Sequence, residues 1–179
     1  MKIETTRLEL IGVNPSMIQD LFATKSKSEI LEFFGYDEPA FEKMQTMVER
    51  GMETFNLSFI YFILREKTSQ KSIGECGFHS WNTIHHKADI FYVMHDDSFK
   101  RKGLMKEAAA AVIAYGFEEM KLHRIQALIA KENTASFKIL HANQFVFEGT
   151  KREDYLVQGT YESSECYSLL VTEWKTRTN

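Results

Sequence analysis

The sequence predicts an α+β fold in a single domain covering residues 1–179. Three observations carry that expectation. Three runs rich in aromatic and β-branched residues follow one another over 57–94, separated only by short polar turns. A long alanine-rich helical pattern comes next, and shorter strand and helix patterns alternate behind it. The resulting order is strand, helices, three strands, helix, strand, helix and a closing strand pair. Such an order places helices on the faces of a sheet in which sequential strands are mostly antiparallel.

Residues 3–11 alternate Ile3, Leu8 and Leu10 with Glu4, Arg7 and Glu9, the pattern of a half-buried first strand closed by Gly12. Asn14-Pro15 starts a helix over 15–23, because proline in the first turn has its φ already set. A short apolar segment over 30–34 and a loop over 35–39 precede an amphipathic helix over 40–53. Strands over 57–64, 72–81 and 88–94 form an antiparallel meander. A loop over 95–102 and Gly103 lead into the helix over 104–120, which is apolar nearly all round in its first half and so belongs against the sheet. A strand over 124–130, a helix over 134–143 and a strand pair, 145–151 with 161–171 around a turn region at 155–159, complete the chain.

The charge balance, 22 lysines and arginines against 25 aspartates and glutamates, leaves a net −3. No overall positive field therefore exists to attract nucleic acid or an acidic membrane, and a cationic substrate suits the chain better. Cys76 and Cys166 are too few for a disulfide framework and stand in no zinc-ligand spacing. No clustered His or carboxylate pattern suggests a metal, and His85-His86 falls in a turn. The first residues lack the apolar core of a signal peptide, and no stretch approaches the ~20 apolar residues of a membrane span. The expected compartment is the cytoplasm, with no membrane partner.

Chemistry concentrates where the loop meets the long helix, in Phe99-Lys100-Arg101-Lys102-Gly103-Leu104-Met105-Lys106. A helix start presents backbone N–H groups without partners, Gly103 permits close approach, and three cations line the rim, which together suit a pyrophosphate. Taken alone, the same loop also reads as a solvated basic turn. Residues Lys100 to Met105 resemble the acyl-CoA pyrophosphate loop of the GCN5-related N-acetyltransferases (GNAT family), Q/R-x-x-G-x-G/A. Lysine stands here in place of the family's Gln or Arg, and Met105 in place of its final small residue. Ala88-Asp89-Ile90-Phe91-Tyr92, Phe117-Glu118-Glu119-Met120-Lys121-Leu122-His123-Arg124, Glu132-Asn133-Thr134-Ala135-Ser136, Tyr167-Ser168-Leu169-Leu170 and Glu173-Trp174 resemble the family in order and spacing. They are most similar to the branch that includes the ribosomal-protein N-terminal (alanine/serine) acetyltransferases. The resemblance implies a GNAT-like mixed, mostly antiparallel sheet, helices on both faces, and a splayed central strand pair. It also implies acetyl-CoA as co-substrate, held by Val93 and Met94, by Arg101, Lys102, Gly103, Leu104 and Met105, and by Asn133.

Acylation of an amine needs a group that takes the amine's proton and one that protonates the leaving thiolate. Glu75, in Ile73-Gly74-Glu75-Cys76-Gly77-Phe78, lies among apolar and small neighbours, so desolvation raises its pKa and makes it the first candidate base. A solvent-facing or ion-paired glutamate is the competing reading, because alternation does not decide which face is wet. Asp89 and His79 are further candidates. The resemblance implies that Asn133 bonds the pantetheine arm and that Ser136 serves as the thiolate acid, while the same N-x-x-S spacing also describes a helix cap. Where many relatives carry a tyrosine acid this chain has Leu140, which has no proton to give. The segment 24–39, with Phe33, Phe34, Tyr36, Asp37 and Glu38, resembles the family's acceptor-covering region, with ordinary helix packing as the alternative. Tyr155, Tyr161 and Tyr167 read as packing residues of strands.

These readings imply an acetyl-CoA-dependent N-acetyltransferase in which a primary amine attacks the thioester directly. A protein N-terminal α-amine is the acceptor of the branch it resembles. A polyamine, amino acid or antibiotic is the competing acceptor, and a non-catalytic acyl-CoA-binding module is a third reading. The C-terminal strand pair offers an edge for homodimerisation.

Overall fold

The structure, a computed structural model, describes residues 1–54 and 57–178. The chain passes through β1 (Lys2–Glu4), β2 (Leu8–Val13), α1 (Pro15–Thr24), α2 (Lys27–Phe34), α3 (Glu38–Arg50), β3 (Leu57–Glu66), β4 (Ser72–Asn82) and β5 (Lys87–Met94). It continues through α4 (Leu104–Glu118), β6 (Arg124–Ala130), α5 (Thr134–Ala142), β7 (Val146–Val157), β8 (Thr160–Leu170) and α6 (Val171–Thr178). One eight-stranded sheet results, in the order β1-β2-β3-β4-β5-β6-β8-β7. Neighbouring strands are antiparallel throughout except for β5 and β6, which are parallel.

Alternation along β3 divides the two faces of the sheet. Ile60, Phe62 and Leu64 join Phe78, Ala108, Ala109 and Val112 in the core beneath α4. Tyr61 and Ile63 point the other way and join Ile18, Ile30, Phe34 and Phe41 beneath α1, α2 and α3. Small residues let α4 lie close to the strands: a Cβ built on Gly116 would stand 2.7 Å from Cζ of Phe78. The mixed sheet with helices on both faces is the architecture expected from the sequence.

Three elements differ from that expectation. Residues 3–11 are two strands and not one. Leu8 donates its N–H to the Thr5 hydroxyl at 3.1 Å, Thr5 N–H bonds the Leu8 carbonyl at 3.0 Å, and the turn folds Ile3 back opposite Leu10. The polar run Glu4-Thr5-Thr6-Arg7 puts Ile3 out of phase with Leu8 and Leu10, as two separate strands require. The closing hairpin carries β7 to Val157, so its reversal falls at Gln158 and Gly159, both at positive φ, and not over 155–159. Helix α6 follows the last strand, where no element was expected: Glu173 accepts the Leu170 N–H at 2.9 Å, and Trp174 packs its ring 5.3 Å from that of Phe117. Among the described residues no helix is long and apolar enough to cross a membrane.

Candidate active site

Strands β5 and β6 pair only from Lys87↔Arg124 to Asp89↔Gln126 and carry no register beyond that point, although β5 continues to Met94 and β6 to Ala130. The central pair is therefore splayed. A cavity of about 1040 Å³ opens there, walled by the end of β5, the loop before α4, and the first turns of α4 and α5. A second cavity of about 320 Å³ is lined by His79, Asp89, Phe91, the inner side of β6, and Tyr155, Glu162 and Ser163 from the last hairpin. Tyr92, Asn133 and Ser136 line both.

The larger cavity has the construction of an anion site. Gly103 is the N-cap of α4 at φ 77° and provides no side-chain cap, whereas Asn14, Ser26, Asp37 and Asn133 each cap their helices with a side-chain oxygen. The leading N–H groups of α4 thus keep their positive end of the helix dipole for a ligand. Arg101, at φ 60°, adopts a backbone conformation that a side chain disfavours, as loops that grip ligands do. Val93, Met94, Arg101, Gly103, Leu104, Met105 and Asn133, to which the resemblance assigns the coenzyme, all line this cavity. Lys102 does not. Its carbonyl is turned to the Arg7 guanidinium at 2.8 Å, and its ammonium stands 5.2 Å from the centre of the Phe99 ring. Lys100 is paired with Asp97 at 2.5 Å, so the run of cations does not form one continuous free patch.

At the junction of the cavities, Asn133 caps α5 through Oδ1, which accepts the Ser136 N–H at 3.0 Å. Both sequence readings of this pair are therefore compatible, since the cap holds residues that also line the cleft. Leu140 lies on the buried face of α5, 1% exposed, and belongs to the core. Sequence reasoning missed Tyr92. Its hydroxyl donates to the Ser136 carbonyl at 3.4 Å, and burial, offset by the Ser136 hydrogen bond, pushes its pKa up to about 12. The available signal was its position in β5, where alternation sets Tyr92 opposite in face to Phe91, immediately before the splayed end.

Glu75 is 7% exposed and lines neither cavity. Its register partner Val93, on the same face, lines the larger one. Around the carboxylate lie Tyr36, Tyr61 and His95, with Nε2 of His95 3.9 Å from Oε1 of Glu75. Burial raises the Glu75 pKa to about 7, against the smaller lowering effects of the Tyr36 hydroxyl and Lys43. Burial likewise lowers that of His95 and raises those of Tyr36 and Tyr61. Glu75 Oε1, Tyr61 Oη and His95 Nδ1 have no hydrogen-bond partner among the described residues. The aromatic residues of segment 24–39 pack around this cluster: Phe34 stacks on Tyr36 at 4.9 Å, and Tyr36 meets His95 edge-on at 5.5 Å. Asp37 caps α3, and Glu38 pairs with Lys27. None of these residues lines either cavity.

The smaller cavity draws on residues that sequence reasoning ranked second. Asp89 and His79 are register partners on β5 and β4 and line it together, with the His79 ring 5.7 Å from that of Phe91. Tyr155 and Glu162, contributed across the hairpin, close it. Only tertiary pairing brings the hairpin there. Tyr167, by contrast, is a packing residue between Phe137 and Phe147.

Comparison with known proteins bears on this arrangement. The family described as "Acetyltransferase (GNAT) domain" matches residues 7–146. The N-acetyltransferase YoaA of Bacillus subtilis is 28% identical over 94% of this chain and 96% of that protein. Two solved structures share the fold. One is the spermidine/spermine N-acetyltransferase SpeG from Vibrio cholerae, at 18% identity and a TM-score of 0.72 over 98% of this chain and all of that one. The other is a ribosomal L7/L12 α-N-protein acetyltransferase in complex with coenzyme A, at 19% identity and a TM-score of 0.71 over 97% of this chain and 99% of that one. With its splayed strand pair, uncapped helix and paired cavities, the chain belongs to the GNAT family and is an N-acetyltransferase that uses acetyl-CoA.

Proposed function

We propose that the larger cavity holds acetyl-CoA, the smaller one receives a primary amine, and acetyl transfer takes place where they meet. The observation that carries this reading is the set Tyr92, Asn133 and Ser136, which lines both cavities at the splayed end of β5. The N–H groups at the start of α4, with Arg101, hold the pyrophosphate. The backbone of Val93 and Met94, and the Nδ2 donors that Asn133 keeps free of its cap, hold the pantetheine arm. Acetyl-CoA supplies the acetyl group as a thioester. By seating amine and thioester in adjoining spaces, the chain lets the amine attack directly, forming the N–C bond as the C–S bond breaks. The hydroxyls of Ser136 and Tyr92 are the proton donors to the departing sulfur, and the high pKa of Tyr92 keeps it protonated at working pH.

Asp89 and His79 line the acceptor cavity and receive the amine's proton. A second reading assigns that proton to Glu75 through water, and its pKa of about 7 favours it. Asp89 and Glu162 give the cavity the carboxylates that recognise a cationic amine. The acceptor is a protein N-terminal α-amine, as for the ribosomal L7/L12 enzyme. A polyamine, the acceptor named for SpeG, is the competing substrate, favoured by those same two carboxylates. The enzyme acts in the cytoplasm, and the exposed edge strand β7 is where a second copy pairs. Calorimetric titration with acetyl-CoA, followed by an acceptor screen of N-terminal peptides and polyamines, tests the reading. Saturable binding with acetylation of one class supports it, and binding without transfer to any amine leaves a non-catalytic acyl-CoA module.

A further inference from the structure

The turn between β1 and β2 grips the loop before α4 and the first turn of that helix through hydrogen bonds. Glu107, in the first turn of α4, accepts the Thr5 hydroxyl at 2.7 Å and the Arg7 backbone N–H at 2.8 Å through Oε1, and Arg7 Nε at 2.7 Å through Oε2. Arg7 Nη1 then reaches past the carboxylate to the Lys102 carbonyl at 2.8 Å. A Cβ built on Gly103 would lie 3.6 Å from Arg7 Nη2. One guanidinium therefore spans the last peptide of the loop and the first turn of the helix.

The consequence follows from peptide geometry. In a trans peptide the C=O and N–H point in opposite directions. Fixing the Lys102 carbonyl toward Arg7 fixes the N–H of Gly103 away from it, and Gly103 lines the larger cavity while Arg7 does not. Arg7 also neutralises Glu107, whose negative charge at the head of α4 opposes an anionic ligand there. Partial burial works against the Glu107 charge, but the hydrogen bonds from Thr5 and Arg7 outweigh it and hold the carboxyl below its usual range, so it stays ionised at neutral pH and needs the counter-charge.

We propose that Arg7 is a positioning residue for the coenzyme: it aims the Gly103 amide at the pyrophosphate and cancels the Glu107 carboxylate, without touching the substrate itself. This rests on the assignment of acetyl-CoA to the α4 loop. The bracket serves the pyrophosphate and not the pantetheine arm, which gives it a signature that a general loss of packing lacks.

The test compares binding of acetyl-CoA with binding of S-acetylpantetheine, which has the thioester arm and no pyrophosphate, in the wild type, Arg7→Ala and Arg7→Lys. Removing a charged hydrogen-bond donor is expected to weaken acetyl-CoA about tenfold in Arg7→Ala. S-acetylpantetheine binding is expected to stay unchanged. Lysine keeps the charge but lacks the fork that spans both acceptors, so Arg7→Lys is expected to lose about threefold; it carries the same test should Arg7→Ala not fold. Equal weakening of both donors, or no weakening of acetyl-CoA, overturns the proposal. Normal acetyl-CoA binding by Gly103→Glu instead overturns the loop site itself, and the two failures are thereby told apart.

Discussion

Replacing Glu75 by glutamine tests whether the structure has assigned the buried carboxylate correctly. Glutamine has nearly the same shape and cannot ionise, so the substitution removes the charge and little else. In the fold the carboxyl titrates at about 7 against an ordinary 4.5, and desolvation is the main cause. A raised pKa means that the folded protein holds the proton more tightly than the unfolded chain. Stability is then fully present below about pH 4.5 and is lost as pH rises through 7. One pKa unit is worth about 1.4 kcal/mol, so ionising this group costs the fold about 3 kcal/mol at pH 8 and above. Urea denaturation of both proteins from pH 4 to 9 is expected to show equal stability at pH 4. Glu75→Gln is expected to be the more stable by about 3 kcal/mol at pH 8.5, or by roughly 6–12 °C in Tm for a domain of this length. A difference that does not change with pH would refute the buried ionisable site. The same pair of proteins resolves the base: if Glu75 takes the amine's proton, kcat/KM of the wild type rises through pH 7 and that limb disappears in Glu75→Gln, whereas a limb unchanged in the mutant assigns the proton to Asp89 and His79.

Gly103→Glu puts a carboxylate at the start of α4, at a φ of 77° that side chains disfavour, and is expected to weaken acetyl-CoA by about 100-fold or more; retained affinity in calorimetry counts against the phosphate site. Asp89→Asn is expected to raise KM for the amine about tenfold, to lower kcat, and to leave KM for acetyl-CoA unchanged, since Asp89 lines only the smaller cavity. A matched rise in both constants would place it elsewhere. Tyr92→Phe is expected to lower kcat about 100-fold if its hydroxyl protonates the thiolate, with no descending limb in the wild-type profile below pH 10 because its pKa lies at about 12. Ser136→Ala is the paired measurement, and a full loss there with none in Tyr92→Phe returns the role to the serine.

Much of the fold was legible because its elements are locally determined. Asn14-Pro15 starts its helix by a hydrogen bond within three residues, and that bond is present; Ser26 with Glu29, and Asp37, start α2 and α3 in the same way, earlier than the expected segments at 30–34 and 40–53. The meander over β3, β4 and β5 is written in β-branched and aromatic residues whose faces alternate. The β1–β2 turn breaks the alternation expected over 3–11: Thr5, Thr6 and Arg7 are a polar run that puts Ile3 out of phase with Leu8, and hydrogen bonds between Thr5 and Leu8 make the reversal. Helix α6 was missed because its anchor is Phe117, far back in the chain.

The site divides in the same way. The α4 loop was legible as a contiguous stretch, since Gly103 and the uncapped amides behind it are backbone features that neighbouring side chains leave in place. Lys102 stands outside the larger cavity because the direction of its peptide depends on Arg7, which is remote in sequence. Glu75 was named from its apolar neighbours, and its burial agrees, but its distance from both cavities is a property of the packed sheet. The acceptor cavity was the least legible part: Asp89, Tyr155 and Glu162 meet only after β5, β6, β8 and β7 assemble across the splay. The sequence by itself determined the strands, the longer helices and the glycine-led turn before α4, because short-range backbone preferences and side-chain periodicity specify them. Only the tertiary structure decided which residues line the two cavities and which stand behind them, because strand pairing between distant segments sets the face and depth of each side chain.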